Sequence, residues 1–274
     1  MQESSKTRKK KYLCHSIEKK IVLLPVNCKS EKMKKIVIIG ATSGIGLEVA
    51  KIYIQQGWKV GIAGRRLAEL EALQRIAPMQ VELQVLDVMH EDAAEKLNQL
   101  IKLLGGMDLF FLSSGIGKQN PTLQSEIEIL TARTNVEGFI RMTTSAYRYF
   151  ATEKRVGQIA IISSVAGTKG LGIAPAYSAT KRFQNTYIQA LAQLARMEQM
   201  KVSFTDIRPG FVATALLKDD RYPLLMQADK VAQLIVKALN HKKRVAIIDW
   251  RYALIVFFWQ LVPNFLWERL RVRK

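Results

Sequence analysis

Tyr177 and Lys181 stand four residues apart in Tyr177-Ser178-Ala179-Thr180-Lys181. On a helix they share one face, which brings the ammonium close enough to favour the phenolate. A phenol is a poor base at neutral pH until positive charge lowers its pKa, so this pairing is an acid/base group. Ser164 lies 13 residues before Tyr177, next to Ser163, and Asn135 adds an amide further upstream. Earlier still, Gly40-Ala41-Thr42-Ser43-Gly44-Ile45-Gly46 joins an apolar run to a helical pattern. Glycines at such a turn admit a pyrophosphate close to the backbone, and the helix that follows offers unpaired N–H groups and a positive dipole. Read together, the residues describe hydride transfer beside a dinucleotide cradle.

The preference between dinucleotides is set at the end of the second strand, where an acid would hold the ribose 2′-hydroxyl of NAD. The sequence there is Ala63-Gly64-Arg65-Arg66. With no acid and two guanidinium groups, it suits the 2′-phosphate of NADP, so NADP(H) is expected over NAD(H).

Short apolar runs alternate with helical patterns from Ile36 onward. Ile36 to Ile39, Lys59 to Ala63, Val81 to Leu86, Leu109 to Leu112, Gln158 to Ile162 and Lys201 to Asp206 read as strands, and Arg244 to Ile248 as a seventh at the edge. Strand–helix alternation of this kind predicts an α/β fold: one Rossmann-type, doubly wound parallel sheet of about seven strands with helices on both faces. A chain of 274 residues has room for one such domain, here residues 33–249.

In the order and spacing of these motifs the chain resembles the short-chain dehydrogenase/reductase family of the classical type, from Met33 to about Asn240. The resemblance implies a catalytic tetrad of Asn135, Ser164, Tyr177 and Lys181. Within it Lys181 also binds the nicotinamide ribose, Ser164 bonds the substrate oxygen, and Asn135 holds a water linking Lys181 to solvent. It further implies that Gly40, Thr42, Ser43, Gly44, Ile45 and Gly46 cradle the cofactor, with Arg65 on the 2′-phosphate and Arg66 assisting. Asp87 would contact adenine, and Gly115 would lie in the cofactor floor. In Pro209-Gly210-Phe211-Val212-Ala213-Thr214, Pro209 and Gly210 form a turn from which Val212 and Thr214 approach the carboxamide. Two departures stand out: Ile39 replaces a threonine, and the family's Asn-Asn-Ala-Gly appears as Leu112-Ser113-Ser114-Gly115. The implied protein is an NADP-dependent enzyme interconverting an alcohol and a carbonyl, working as a homodimer or homotetramer. Residues 215–226 would form an apolar substrate lid, suiting a small hydrophobic substrate. The alternative is a dinucleotide-binding regulator or membrane-surface scaffold without catalysis.

The formal net charge of +19 gathers at the two ends. Residues 1–32 form a basic extension expected to be disordered, with Met33 as a candidate start and a functional basic arm as the other reading. The charge fits a solvated basic surface or attraction to an anionic membrane; no DNA-reading helix or aromatic-basic motif points to nucleic acid. Both cysteines, Cys14 and Cys28, precede the domain, and the three histidines are scattered. This fits a reducing, cytoplasmic setting and argues against a metal site. The tail, residues 250–274, is apolar and basic: Trp250, Trp259 and Trp267 accompany Arg269, Arg271 and Arg273. It suits packing against the domain or a partner subunit, or peripheral contact at a membrane interface, and is too interrupted for a simple span.

Overall fold

The computed structural model describes residues 33–214 and 222–271; the N-terminal extension, residues 215–221 of the expected lid with Leu216 and Leu217, and residues 272–274 lie outside the described residues. Nine strands are described: β1 (Lys35–Ile39), β2 (Lys59–Gly64), β3 (Val81–Val85), β4 (Leu109–Leu112), β5 (Gly157–Ile162), β6 (Val202–Arg208), β7 (Val212–Ala213), β8 (Met226–Gln227) and β9 (Val245–Ile247). The helices are α1 (Gly44–Gln55), α2 (Leu67–Ile76), α3 (Ala93–Leu104), α4 (Ser125–Ala132), α5 (Phe139–Thr152), α6 (Pro175–Met197), α7 (Ala228–Asn240), α8 (Trp250–Leu261) and α9 (Asn264–Trp267).

Seven strands pair in the order β3-β2-β1-β4-β5-β6-β9, every pair parallel. Parallel strands require crossovers, and the helices that supply them cover both faces. Alternation along β1 shows how the sequence assigns the layers. Ile36 and Ile38 point into one core with Val49 and Tyr53 of α1 and Val231 and Ile235 of α7. Val37 and Ile39 point into the other, with Leu97 and Leu100 of α3, Met142 and Phe150 of α5 and Ile188 of α6. Both faces are dry, so β1 reads as an unbroken apolar run. Ile39, the departure from threonine, is 1% exposed and simply belongs to the second core.

The strand order turns back on itself between β1 and β4, and a crevice opens there beyond their carboxyl ends. Two features aim residues into it. α4 and α5 form one rod, interrupted by a π-helical turn at Arg133–Gly138 that carries Asn135. α6 starts with Pro175 in its first turn and runs for 23 residues with Tyr177, Lys181 and Gln184 on one side.

Candidate active site

The turn after β1 needs its glycines for backbone shape and for lack of room. Gly40 has φ +92 and Gly44 φ +57, and a Cβ on Gly46 would lie 2.1 Å from the Gly40 carbonyl oxygen. α1 then begins without a side-chain cap on its first N–H groups and with no acid in its first turn. Those donors and the helix dipole suit an anion, which is what a dinucleotide pyrophosphate supplies. Thr214 packs above, its methyl 3.0 Å from where a Gly44 Cβ would stand. Gly64, which the sequence reading did not single out, leaves space for Thr42: a Cβ there would meet the threonine methyl at 2.6 Å.

The two arginines after β2 divide their work. Arg66 donates to the carbonyl (2.9 Å) and hydroxyl (3.0 Å) of Thr42, tying the second strand's end to the glycine turn. Arg65 is exposed and makes no hydrogen bond or ion pair among the described residues. Asp87 accepts from the Met89 N–H (3.0 Å), an Asx turn that shapes the end of β3. Where an asparagine was expected, Ser113 and Ser114 both donate their N–H groups to the Ile39 carbonyl (2.8 and 3.0 Å). Main chain therefore ties β1 to β4 there.

Asn135, Ser164, Tyr177 and Lys181 converge from the π-helical turn, α6 and the turn after β5. Asn135 is fully buried; its Oδ1 accepts from the Ile116 N–H (2.9 Å), and its Nδ2 donates to the Ile116 carbonyl (2.7 Å) and to Thr180 Oγ1 (3.2 Å). Gly115 lies between Asn135 Oδ1 and Lys181 Nζ, which a Cβ there would meet at 3.2 and 3.5 Å. Ser164 accepts from the Ala166 N–H (3.1 Å) and donates to the Pro209 carbonyl (3.3 Å), with its hydroxyl near enough to Tyr177 to pull the phenol's pKa down. The neighbouring Ser163 instead turns to the buried carboxylate of Asp206, which also takes two hydrogen bonds from Arg208 (2.8 and 2.7 Å).

The electrostatics differ from the sequence expectation at one point. Burial raises the pKa of the half-buried Tyr177, and the opposing influence is the nearby Ser164 hydroxyl. Lys181 lies with Nζ 5.8 Å from the Tyr177 ring centroid. It donates to the Ile162 carbonyl (3.0 Å) and Gln184 Oε1 (3.0 Å), so its charge is spent behind the ring and not at the hydroxyl. At 4% exposure burial pushes Lys181 down to about 8, against the pull of the Asp206 carboxylate.

Three contributors escaped the sequence reading. Gly117 packs on the Tyr177 ring, where a Cβ would stand 2.7 Å from Cε2; the spacing Gly115-x-Gly117 was its only signal. Gln184 Nε2 donates to the Asn135 carbonyl (2.9 Å) while its Oε1 accepts from Lys181. This amide joins the Asn135 carbonyl to the Lys181 ammonium; its position three residues after Lys181 was the available clue. Tyr252 of α8 lies beneath the Pro209-Gly210 turn. Its hydroxyl accepts from the Phe211 N–H (3.0 Å) and faces the Pro223 and Leu224 carbonyls (3.1 and 3.2 Å). Val212 is held in the β7–β8 pair opposite Met226, and the Tyr222 ring lies tilted against Phe211 with centroids 4.7 Å apart.

Residues 34–223 match the family model described as short chain dehydrogenase. An uncharacterized oxidoreductase of Myxococcus xanthus is 31% identical over 239 residues, 84% of this chain and 93% of that protein. Dehydrogenase/reductase SDR family member 7B of Xenopus tropicalis is 24% identical over 264 residues, 87% and 84% of the two chains. Among solved structures, a short chain dehydrogenase/reductase from Burkholderia phymatum in complex with NAD superposes with a TM-score of 0.77 at 18% identity, over 89% of this chain and 98% of that one. An alcohol dehydrogenase from Thermococcus sibiricus complexed with 5-hydroxy-NADP gives 0.68 at 22%, over 79% and 95%. With the matched span covering most of the sequence, the chain belongs to the short-chain dehydrogenase/reductase family and is an NAD(P)-dependent oxidoreductase.

Proposed function

We propose that the protein is an NADP-dependent oxidoreductase interconverting a small, hydrophobic alcohol and its carbonyl, with Tyr177 as the acid/base. The observation that carries this reading is the convergence of Ser164, Tyr177 and Lys181, with the Ser164 hydroxyl close to the phenol and Lys181 buried behind the ring. The glycine turn and the start of α1 would hold NADPH, which would supply the hydride. Tyr177 then gives its proton to the carbonyl oxygen, while the Ser164 hydroxyl bonds that same oxygen. A phenol held above its usual pKa keeps its proton at neutral pH, as a donor must. Lys181 keeps its ammonium behind the ring, 5.8 Å from the centroid, and the Gln184–Asn135 contact fixes where that charge sits.

Preference for the 2′-phosphate rests on Arg65. Arg66 is occupied by Thr42, whereas Arg65 is exposed and without an ion pair among the described residues, at the end of β2 where the adenine ribose would lie. Related structures were solved with NAD in one case and 5-hydroxy-NADP in another, so the choice follows from this chain's own residues. The enzyme works in the cytoplasm as a homodimer or homotetramer.

The test follows the absorbance of reduced nicotinamide with a panel of apolar carbonyls. Tyr177→Phe should lower turnover by roughly 10²-fold or more and leave NADPH affinity unchanged. Wild-type turnover in that variant would overturn the assignment.

A further inference from the structure

α8 is apolar on both its inner and its outer side, with Arg251 and Gln260 as its polar residues, yet it is half uncovered. Its inner side is anchored to the substrate side of the domain. Tyr252 and Val256 are buried, Trp259 Nε1 donates to Thr168 Oγ1 (2.9 Å), and Tyr252 holds the Phe211 turn. Beyond α8, Lys169 Nζ donates to the Val262 carbonyl (2.8 Å) and Asn264 Oδ1 (2.9 Å), and Trp267 Nε1 donates to the Gly170 carbonyl (2.7 Å). These contacts fix the tail on the loop that follows Ser164.

The outer side is a different matter. Trp250, Leu254, Phe257, Phe258 and Leu261 follow helical spacing along one face and are 71%, 49%, 58%, 62% and 66% exposed. Phe265, Leu266 and Leu270 continue the patch at 60%, 43% and 52%. A contiguous apolar surface of this kind on an otherwise charged protein marks a contact site. At 12 residues α8 is too short to cross a bilayer, and no helix among the described residues is long and apolar enough to do so.

Charge selects the occupant. Arg269 and Arg271 are exposed and make no ion pair among the described residues; Arg273 and Lys274 follow in sequence, and Glu268 is the only acid from residue 250 to the end. A second copy would bring the same arginines, and the same +19 charge, against this face. An anionic lipid surface offers hydrocarbon for the phenylalanines and phosphates for the arginines together.

We propose that the outward face of α8, continued through Leu270, is a docking surface for an anionic lipid bilayer, set at the rim of the substrate crevice so that apolar substrate enters from the membrane side. The docking step is independent of the reaction proposed above; the entry route rests on it.

Because Tyr252 and Trp259 also brace the site, the tail is tested by outward-facing substitutions and not by removal. The full-length protein is co-sedimented with phosphatidylcholine vesicles, with and without phosphatidylglycerol, at low and high salt. Binding should need the anionic lipid and weaken in salt. Arg269→Ala with Arg271→Ala should lower partitioning roughly thirtyfold, about fivefold for each basic residue near an anionic surface. Phe257→Glu with Phe258→Glu should abolish it while NADPH binding and melting temperature stay as in wild type. The exposed Trp250 should show blue-shifted emission on vesicles. Full-length protein left in the supernatant with anionic vesicles at low salt overturns the proposal. So does undiminished binding by the glutamate pair, or sedimentation velocity showing that this pair splits a dimer that itself binds no vesicles. None of these readouts uses turnover, so an inactive protein that binds vesicles would refute the oxidoreductase reading and leave the docking surface standing.

Discussion

Replacing Lys181 with methionine should make stability less dependent on alkaline pH, and the size of the effect follows from its surroundings. Lys181 is 4% exposed, and its pKa is pushed down to about 8 from 10.5 in the free side chain. Between those values the unfolded chain holds the proton that the folded chain has released, so stability rises with pH across that window. Below pH 8 both states are protonated and the folded protein carries the full cost of burying the charge. At roughly 1.4 kcal/mol per pKa unit that cost is about 3 kcal/mol, of which roughly 2–3 kcal/mol should be recovered between pH 7 and 10. Urea unfolding of wild type and Lys181→Met at matched pH values measures it. Titrating groups that do not touch Lys181 cancel in the difference between the two proteins, including Tyr53 and Tyr187, whose raised pKa values act at the same end of the scale. The wild-type curve should climb relative to the variant as pH rises from 7 to 10. Parallel curves, or a wild type that loses ground, would refute the view that Lys181 is a desolvated cation held at a stability cost.

Two further outcomes are expected. Arg65→Ala should weaken NADPH by roughly 1.5–3 kcal/mol, the scale of a hydrogen bond to a charged group, and leave NADH unaffected in calorimetric titration; a native chain that prefers NADH would contradict the assignment of Arg65. Tyr252→Phe keeps the ring under Gly210 but leaves the Phe211 N–H without its acceptor, for a loss of roughly 1–2 kcal/mol and a melting temperature lower by roughly 2–8 °C. A melting temperature equal to wild type would show that the hydroxyl is not the tie.

The sequence disclosed what local pattern encodes. Short apolar runs alternating with helical patterns located all seven strands of the main sheet to within two residues at either end, because a strand buried on both faces announces itself as a short apolar run. Asn135, Ser164, Tyr177 and Lys181 were singled out through motif spacing and the family resemblance, and the fold brings these four candidates together. What escaped depends on contacts between distant segments. Tyr252 meets Phe211 across 41 residues and Ser163 meets Asp206 across 43, and neither partner carries a local mark. The direction of the Tyr177 shift was also hidden. Helical spacing puts Lys181 on the same face as the phenol, but only the Ile162 carbonyl and Gln184 show that the ammonium is drawn behind the ring. The tail was read as packed or membrane-facing; one side of α8 packs, and the other is the face proposed to meet lipid.

The π-helical turn at Arg133–Gly138 acts as a phase joint in the long rod that borders the site. One surplus residue in a helix rotates everything on one side of it by about 100° relative to the other. Here the surplus lets two unrelated demands be met by a single rod. On one side Glu128 Oε2 accepts the Ala176 N–H (2.9 Å) and its Oε1 accepts from Asn120 Nδ2 (2.8 Å), securing the start of α6 just ahead of Tyr177. On the other, Phe139, Met142 and Phe150 face the core. Were the chain one residue shorter between them, the rod would wind straight and one grip would be lost whichever end kept its place. Length at this point is therefore as much a specification of the enzyme as the identity of Asn135.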